Sequence, residues 1–239
     1  MTDDGRRTTV NECFRHSSSV VRQVFMRTQI LPATDTQALA HAVRLLRAGK
    51  VIAYPTDTVY GLGANGFNER AIEQLYVVKD RPSEKAIPYL LAKAADLKLV
   101  AREIPDAARL LTAKFWPGGL TLVVPASTRV PKILIAGGDS IAVRVPNHPT
   151  TRALIDAVGA PLATTSANLS GGSDPSNAQQ VMEQLKGRIP FILDGGATRG
   201  NTPSTVVDVT TDPPRVLRVG VIAVEEIERV LGRPVDKES

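Results

Sequence analysis

The chain has 239 residues, 43% of them hydrophobic, a mean hydropathy of -0.04 and a formal net charge of +5. That length suffices for one ordinary domain with a sizeable core or two small ones, and the single cysteine, Cys13, excludes an intrachain disulfide framework. No apolar run reaches the roughly 18 residues that span a bilayer, and His16, His41 and His148 are too scattered for a structural zinc site, so a cytoplasmic protein with no membrane contact and no metal site of its own is expected.

Residues 1–28 combine polar clusters, a serine run and no sustained period, and read as a flexible extension ahead of a domain over residues 29–239. A chain starting at Met26 is expected to keep that domain intact. Leu39, Val43 and Leu46, spaced i, i+4 and i+7 between Asp35 and Gly49, predict an amphipathic helix with an N-cap and a terminal glycine. VIAYPT (51–56) predicts a buried strand, and Asn68 caps a second helix that ends near Asp80, because Pro82 pushes Arg81 out of the helical region. The pattern continues with a strand over 87–92, helices over 93–99 and 105–115, strands over 121–126 and 141–146, a helix over 149–158 and a strand over 161–166. A helix over 177–186, strands over 191–194, 204–209 and 216–218, and a helix over 224–231 complete one mixed domain with no internal repeat.

Several segments carry polar chemistry where the period alone predicts apolar residues. GLGANG (61–66) satisfies G-x-G-x-x-G, but PTDTVY separates it from the preceding strand and the next helix is capped only at Asn68, so it reads as a glycine-rich turn rather than a dinucleotide loop. PTDTVYGLG (55–63) is dense in hydroxyls, with Asp57 among them. Lys79 and Arg81, two apart at a helix exit held extended by Pro82, are placed to converge on one anion, a geometry that suits a polyphosphate. TTSANLSGG (164–172) runs a strand into Ser166 and Asn168, neutral donors at a carboxyl end where ligands of such sheets bind. Arg144, inside the apolar IAVRVP, needs a partner or a ligand. Turn, cap and helix-dipole roles also account for each of these segments taken singly.

Taken in order, PTDTVYGLG, K-x-R-P (79–82), FWPGGLTLVVP (115–125), VRVPNHP (143–149), TSAN (165–168), PSTVVD (203–208) and LRVG (217–220) resemble the YrdC-like family of L-threonylcarbamoyladenylate synthases, in its single-domain form. The resemblance covers about residues 28–225. It implies an α+β fold, a twisted mixed open sheet flanked by helices around a basic groove. It also implies a nucleotidyl transfer that joins L-threonine, bicarbonate and ATP into threonylcarbamoyl-AMP with release of pyrophosphate, for N6-threonylcarbamoyladenosine formation in tRNA. The family's Lys, Arg, Ser and Asn tetrad falls on Lys79, Arg81, Ser166 and Asn168, joined by Ser204 and Arg218 for ATP, whereas Thr56, Thr58, Tyr60 and Arg144 fall where threonine is held. Mg²⁺ accompanying ATP, downstream tRNA-modification transferase proteins and a possible tRNA contact are the partners implied. Two alternatives stand beside this reading: a related carbamoyl-adenylate-forming YrdC-like enzyme, and an RNA-binding or ribosome-assembly module that uses the groove without chemistry.

Overall fold

The computed structural model describes residues 27–198 and 202–237. The extension assigned to residues 1–28, and with it the expectation about a start at Met26, lies outside the described residues apart from Arg27 and Thr28. Thr28 is tied down: its hydroxyl donates to the Ile189 carbonyl at 2.6 Å and accepts from the Gly187 amide at 2.9 Å.

The chain folds as β1 (Gln29–Pro32), α1 (Thr36–Arg47), β2 (Ile52–Tyr54), β3 (Gly61–Asn65), α2 (Glu69–Lys79), β4 (Tyr89–Leu90), α3 (Asp106–Phe115), β5 (Leu120–Pro125) and β6 (Ser140–Arg144). It continues as α4 (Pro149–Val158), β7 (Leu162–Ser166), α5 (Ala178–Leu185), β8 (Phe191–Asp194), β9 (Thr205–Asp208), β10 (Arg215–Arg218), α6 (Val224–Leu231) and β11 (Asp236–Lys237). The strands form one mixed sheet in the order β1-β8-β2-β3-β7-β4-β6-β5-β9-β10-β11, an α+β arrangement. The caps that the sequence marks are in place, since Asp35 accepts from the Gln37 amide and Asn68 from the Ala71 amide. No described helix is long and apolar enough to cross a membrane.

Two readings of the sequence change, and three short elements are added. GLGAN is a strand and not a turn, antiparallel to both β2 and β7. Its small residues hide the strand signal, yet they are what its neighbours require: a side chain at Gly63 would overlap the Tyr54 ring, and one at Gly66 the Tyr89 ring. Residues 94–99 form a 3₁₀ turn rather than an α-helix, the usual form for so short a connector. The short edge strands β1 and β11 and a 3₁₀ turn at Lys132–Ile135 carry no periodic signal and were not foreseen.

Alternation along the strands divides the apolar residues between two faces. On one face Ala53, Leu62, Ala163, Ile192, Val143 and Leu122 pack under α2, α3, α5 and α6. On the other, Ile52, Tyr54, Leu162, Phe191 and Leu193 pack under α1 and α4 alone. Those two helices cover the β8-β2-β3-β7 part of their face. Over β6, β5 and β9 the same face turns Ala142, Arg144, Thr121 and Val206 into a cleft instead of a helix layer.

Candidate functional site

The cleft has a volume of about 420 Å³ and runs from the β2–β3 connection across β7, β4, β6 and β5 to β9 and β10. Arg144 lies in the middle of its floor. Nε donates to the Gly118 carbonyl at 2.9 Å, Nη2 to Asp57 Oδ1 at 2.5 Å, and Nη1 lies 3.4 Å from Thr58 Oγ1. The charge that the sequence left unexplained in a buried strand is thus paired, and the partner comes from the hydroxyl-rich PTDT segment. Three N–H groups have taken fixed directions, and the guanidinium plane is set with donors to spare.

The PTDT segment folds on its own hydroxyls. Thr56 Oγ1 donates to the Val59 carbonyl at 2.6 Å and accepts from the Thr58 amide at 3.1 Å, so Thr56 shapes the cleft wall with its hydrogen already committed. Thr58 lines the cleft beside Arg144. Tyr60 contributes ring surface only: its hydroxyl donates toward Asp194 and the Gly196 carbonyl and accepts from the Gly195 amide, fixing the start of the loop that leads to Ser204. Burial pushes the Tyr60 hydroxyl pKa upward, with the Asp194 charge acting in the same direction. Tyr60 thus lines the cleft where the resemblance puts threonine, with its hydroxyl engaged by Asp194, Gly195 and Gly196.

On one side of Arg144, the end of β7 meets the end of α2. Lys79 is 4% exposed, and its Nζ faces four oxygens: the Ser166 carbonyl at 2.7 Å, Ser166 Oγ at 3.2 Å, the Asn168 carbonyl at 3.2 Å and Asn168 Oδ1 at 2.5 Å. An ammonium has three protons, so Lys79 is fully engaged beneath the cleft floor. Burial, aided by the Arg81 charge and opposed by Asp174, lowers its pKa to about 8. Ser166 lines the cleft and donates to Asn168 Oδ1 at 2.7 Å, and Asn168 Nδ2 donates to the Gly172 carbonyl.

The sequence reading made Lys79 and Arg81 converge, and here the structure corrects it. Asp80 adopts a left-handed conformation (φ 52°, ψ 44°), so the two side chains are not related by an extended repeat. Lys79 turns inward, and Arg81 donates to the Lys85 carbonyl at 3.1 Å and the Ala86 carbonyl at 2.9 Å, outside the cleft lining. Three members of the tetrad meet and the fourth stands aside.

On the other side, Ser204 and Arg218 come together. Arg218 donates through Nε and Nη2 to the Ser204 carbonyl at 3.1 and 3.0 Å, and Ser204 Oγ lies 2.8 Å from Thr121 Oγ1. Gly220 permits this approach, since a Cβ there would fall on the backbone of Pro203 to Thr205. The sequence reading did not single out Thr121, Asp174 or His148. Thr121 is a lone hydroxyl in an apolar strand, which was the available signal, and Asp174 is the one carboxylate among the described residues that line the cleft. His148 accepts from the Thr151 amide at 3.4 Å to cap α4, and its burial lowers its pKa against the pull of Asp57. No group of three metal-ligating side chains occurs among the described residues.

The sequence profile of the Sua5/YciO/YrdC family, described under telomere recombination, matches residues 44–220. The chain is 44% identical over 191 residues to the threonylcarbamoyl-AMP synthase of Pyrococcus abyssi, covering 80% of this chain and 56% of that protein. It is 42% identical to the Bacillus subtilis threonylcarbamoyl-AMP synthase, over 84% of this chain and 58% of the relative. The structure of Pyrococcus abyssi Sua5 complexed with L-threonine superposes with a TM-score of 0.84 at 40% identity, over 88% of this chain and 62% of that one. The chain therefore spans little more than half the length of these relatives. A profile match over most of the chain, on the strands and loops that build the cleft, places this protein in the Sua5/YciO/YrdC family.

Proposed function

We propose that this chain is an L-threonylcarbamoyladenylate synthase, converting L-threonine, bicarbonate and ATP to threonylcarbamoyl-AMP and pyrophosphate in the cytoplasm, for transfer to tRNA by a downstream modification protein. The observation that carries the reading is the arrangement of the cleft floor. A guanidinium with spare donors stands in the middle, flanked by Ser166 over Lys79 and Asn168 on one side and by Ser204 with Arg218 on the other. An amino acid carboxylate fits the first and phosphoryl oxygens fit the flanks.

In this reading Arg144 and Thr58 hold threonine with its amine free. The amine attacks carbon dioxide derived from bicarbonate and loses a proton, and the carbamate oxygen then forms a bond to the α-phosphorus as the bond to the β-phosphate bridging oxygen breaks. Catalysis is chiefly positioning and charge stabilisation. Arg218, Ser204 and Ser166 face the phosphates directly. Lys79 acts from beneath, fixing Ser166 and Asn168, and Arg81 must leave the Lys85 and Ala86 carbonyls to reach them. Mg²⁺ would supply charge neutralisation of the triphosphate; the described residues fit an ion carried mainly by the nucleotide, with Asp174 the carboxylate available to it, and form no cage among themselves.

The test is pyrophosphate release from ATP with threonine and bicarbonate omitted in turn. Release that needs both supports the proposal. Release independent of threonine, or RNA binding indifferent to threonine and ATP without any release, would refute it.

A further inference from the structure

The cationic side chains around the cleft differ in one respect that the reaction itself does not demand. Among the described residues, Arg218 is bonded only to the carbonyl and hydroxyl of Ser204, and Lys79 only to oxygens of Ser166 and Asn168, all neutral. Arg144 alone among them has a carboxylate partner, and the Arg144–Asp57 ion pair is the least exposed among the described residues, with side-chain exposures of 9% and 17%. The other four described pairs are all more exposed than this one.

A buried arginine without its carboxylate would be the strongest anion trap in the cleft, because a charge shielded from water attracts phosphate most strongly where the dielectric is lowest. Asp57 cancels that charge while leaving the N–H directions in place. A polyphosphate gains from net charge over a distance, whereas a zwitterion's carboxylate needs mainly the directed donors. Resting on the threonine reading above, we propose that Asp57 is a specificity-determining residue: by compensating Arg144 it reserves the centre of the cleft for an amino acid carboxylate and confines phosphate to the flanks. The discrimination is built by repulsion of the wrong ligand as much as by attraction of the right one.

The experiment titrates the full chain with L-threonine by calorimetry, alone and in saturating pyrophosphate. In the unsubstituted protein, threonine binding persists when pyrophosphate is saturating. Asp57→Asn keeps an oxygen for Arg144 Nη2 and removes only the charge. Its expected effect is pyrophosphate binding tightened by about 10-fold or more, from one unpaired charge in a poorly hydrated site, with pyrophosphate now displacing threonine. The double variant Asp57→Asn with Arg144→Gln removes the unmasked charge, and its expected effect, read on pyrophosphate alone, is loss of the tightened pyrophosphate binding.

Competition by pyrophosphate in the unsubstituted chain overturns the inference without recourse to any variant. Threonine binding by Asp57→Asn that pyrophosphate leaves untouched overturns it as well. A chain that binds no threonine in any form overturns the functional reading itself, a result distinct from either of these.

Discussion

Replacing Lys79 with methionine separates what this residue does for the site from what it does for the fold. Lys79 is 4% exposed and its pKa falls from an ordinary 10.5 to about 8, chiefly because burial disfavours the charged form. At about 1.4 kcal/mol per pH unit of depression, the folded state carries roughly 3 kcal/mol of cost for a charged Lys79 at neutral pH. Methionine removes that cost and leaves four oxygens without their donor. Ser166 still donates to Asn168 Oδ1, so the loss falls mainly on two carbonyls, at about 1–3 kcal/mol each. The two effects nearly cancel, and the melting temperature of Lys79→Met is expected to stay within about 5 °C of the parent. Turnover, read as threonine-dependent pyrophosphate release, is expected to fall by at least about 100-fold, since Ser166 and Asn168 lose the group that fixes them.

The sign of the pH dependence gives a second, independent reading of Lys79. Between pH 8 and pH 10.5 the unfolded chain binds a proton at this lysine that the folded chain has released, so the parent gains stability with rising pH across that window. Lys79→Met lacks this gain, and the stability difference between the two should drift in the parent's favour by up to about 3 kcal/mol. Denaturant unfolding at pH 7.5 and pH 10 measures it. A variant that keeps its turnover but melts more than 10 °C lower would refute the reasoning and make Lys79 a structural residue only.

Thr205→Val removes a fully buried hydroxyl that donates to the Ile222 carbonyl and accepts from the Gly220 and Ile222 amides; a loss of about 3 kcal/mol is expected, roughly 6–12 °C in melting temperature, with a weaker ATP affinity as the Arg218 segment loosens. Gly63→Ala sets a methyl group against the buried Tyr54 ring and should cost about 1–3 kcal/mol in urea unfolding, whereas Gly196→Ala, which meets nothing within 4 Å, should show only the smaller strain of its positive φ. Ser166→Ala should lower turnover or ATP affinity with little change in melting, because Ser166 lines the cleft; a change confined to melting would make it a turn residue. Threonine should be preferred over valine by about 1,000-fold or more in adenylate yield, because polar groups arranged for a hydroxyl are left unpaired by its isostere.

Much of this fold is legible in the sequence. The helices α1, α2, α3, α4, α5 and α6 follow from apolar spacing and caps, and the strands β2, β5, β6, β7, β8, β9 and β10 from short runs rich in apolar and β-branched residues, buried most fully in the central β2. The strand β3 was not legible, because local propensity argues against GLGAN as a strand and only the rings of Tyr54 and Tyr89, brought across it by the sheet, explain why small residues are needed there.

The candidate site divides along the same line. Residue types and their order in the sequence mark Lys79, Ser166, Asn168, Ser204, Arg218 and Arg144 as the candidates for polar chemistry, since each interrupts an apolar or turn pattern and their motifs lie in the order of one family. Which of them face the cleft is decided by tertiary structure alone. A left-handed turn at Asp80 sends Lys79 inward and Arg81 aside, the Tyr60 hydroxyl is drawn to Asp194 on a distant strand, and Asp57 crosses to Arg144 from 87 residues away. Sequence reports the local preferences of the backbone and the identity of the side chains. The direction of each polar group depends on partners that only the folded sheet brings within hydrogen-bonding distance.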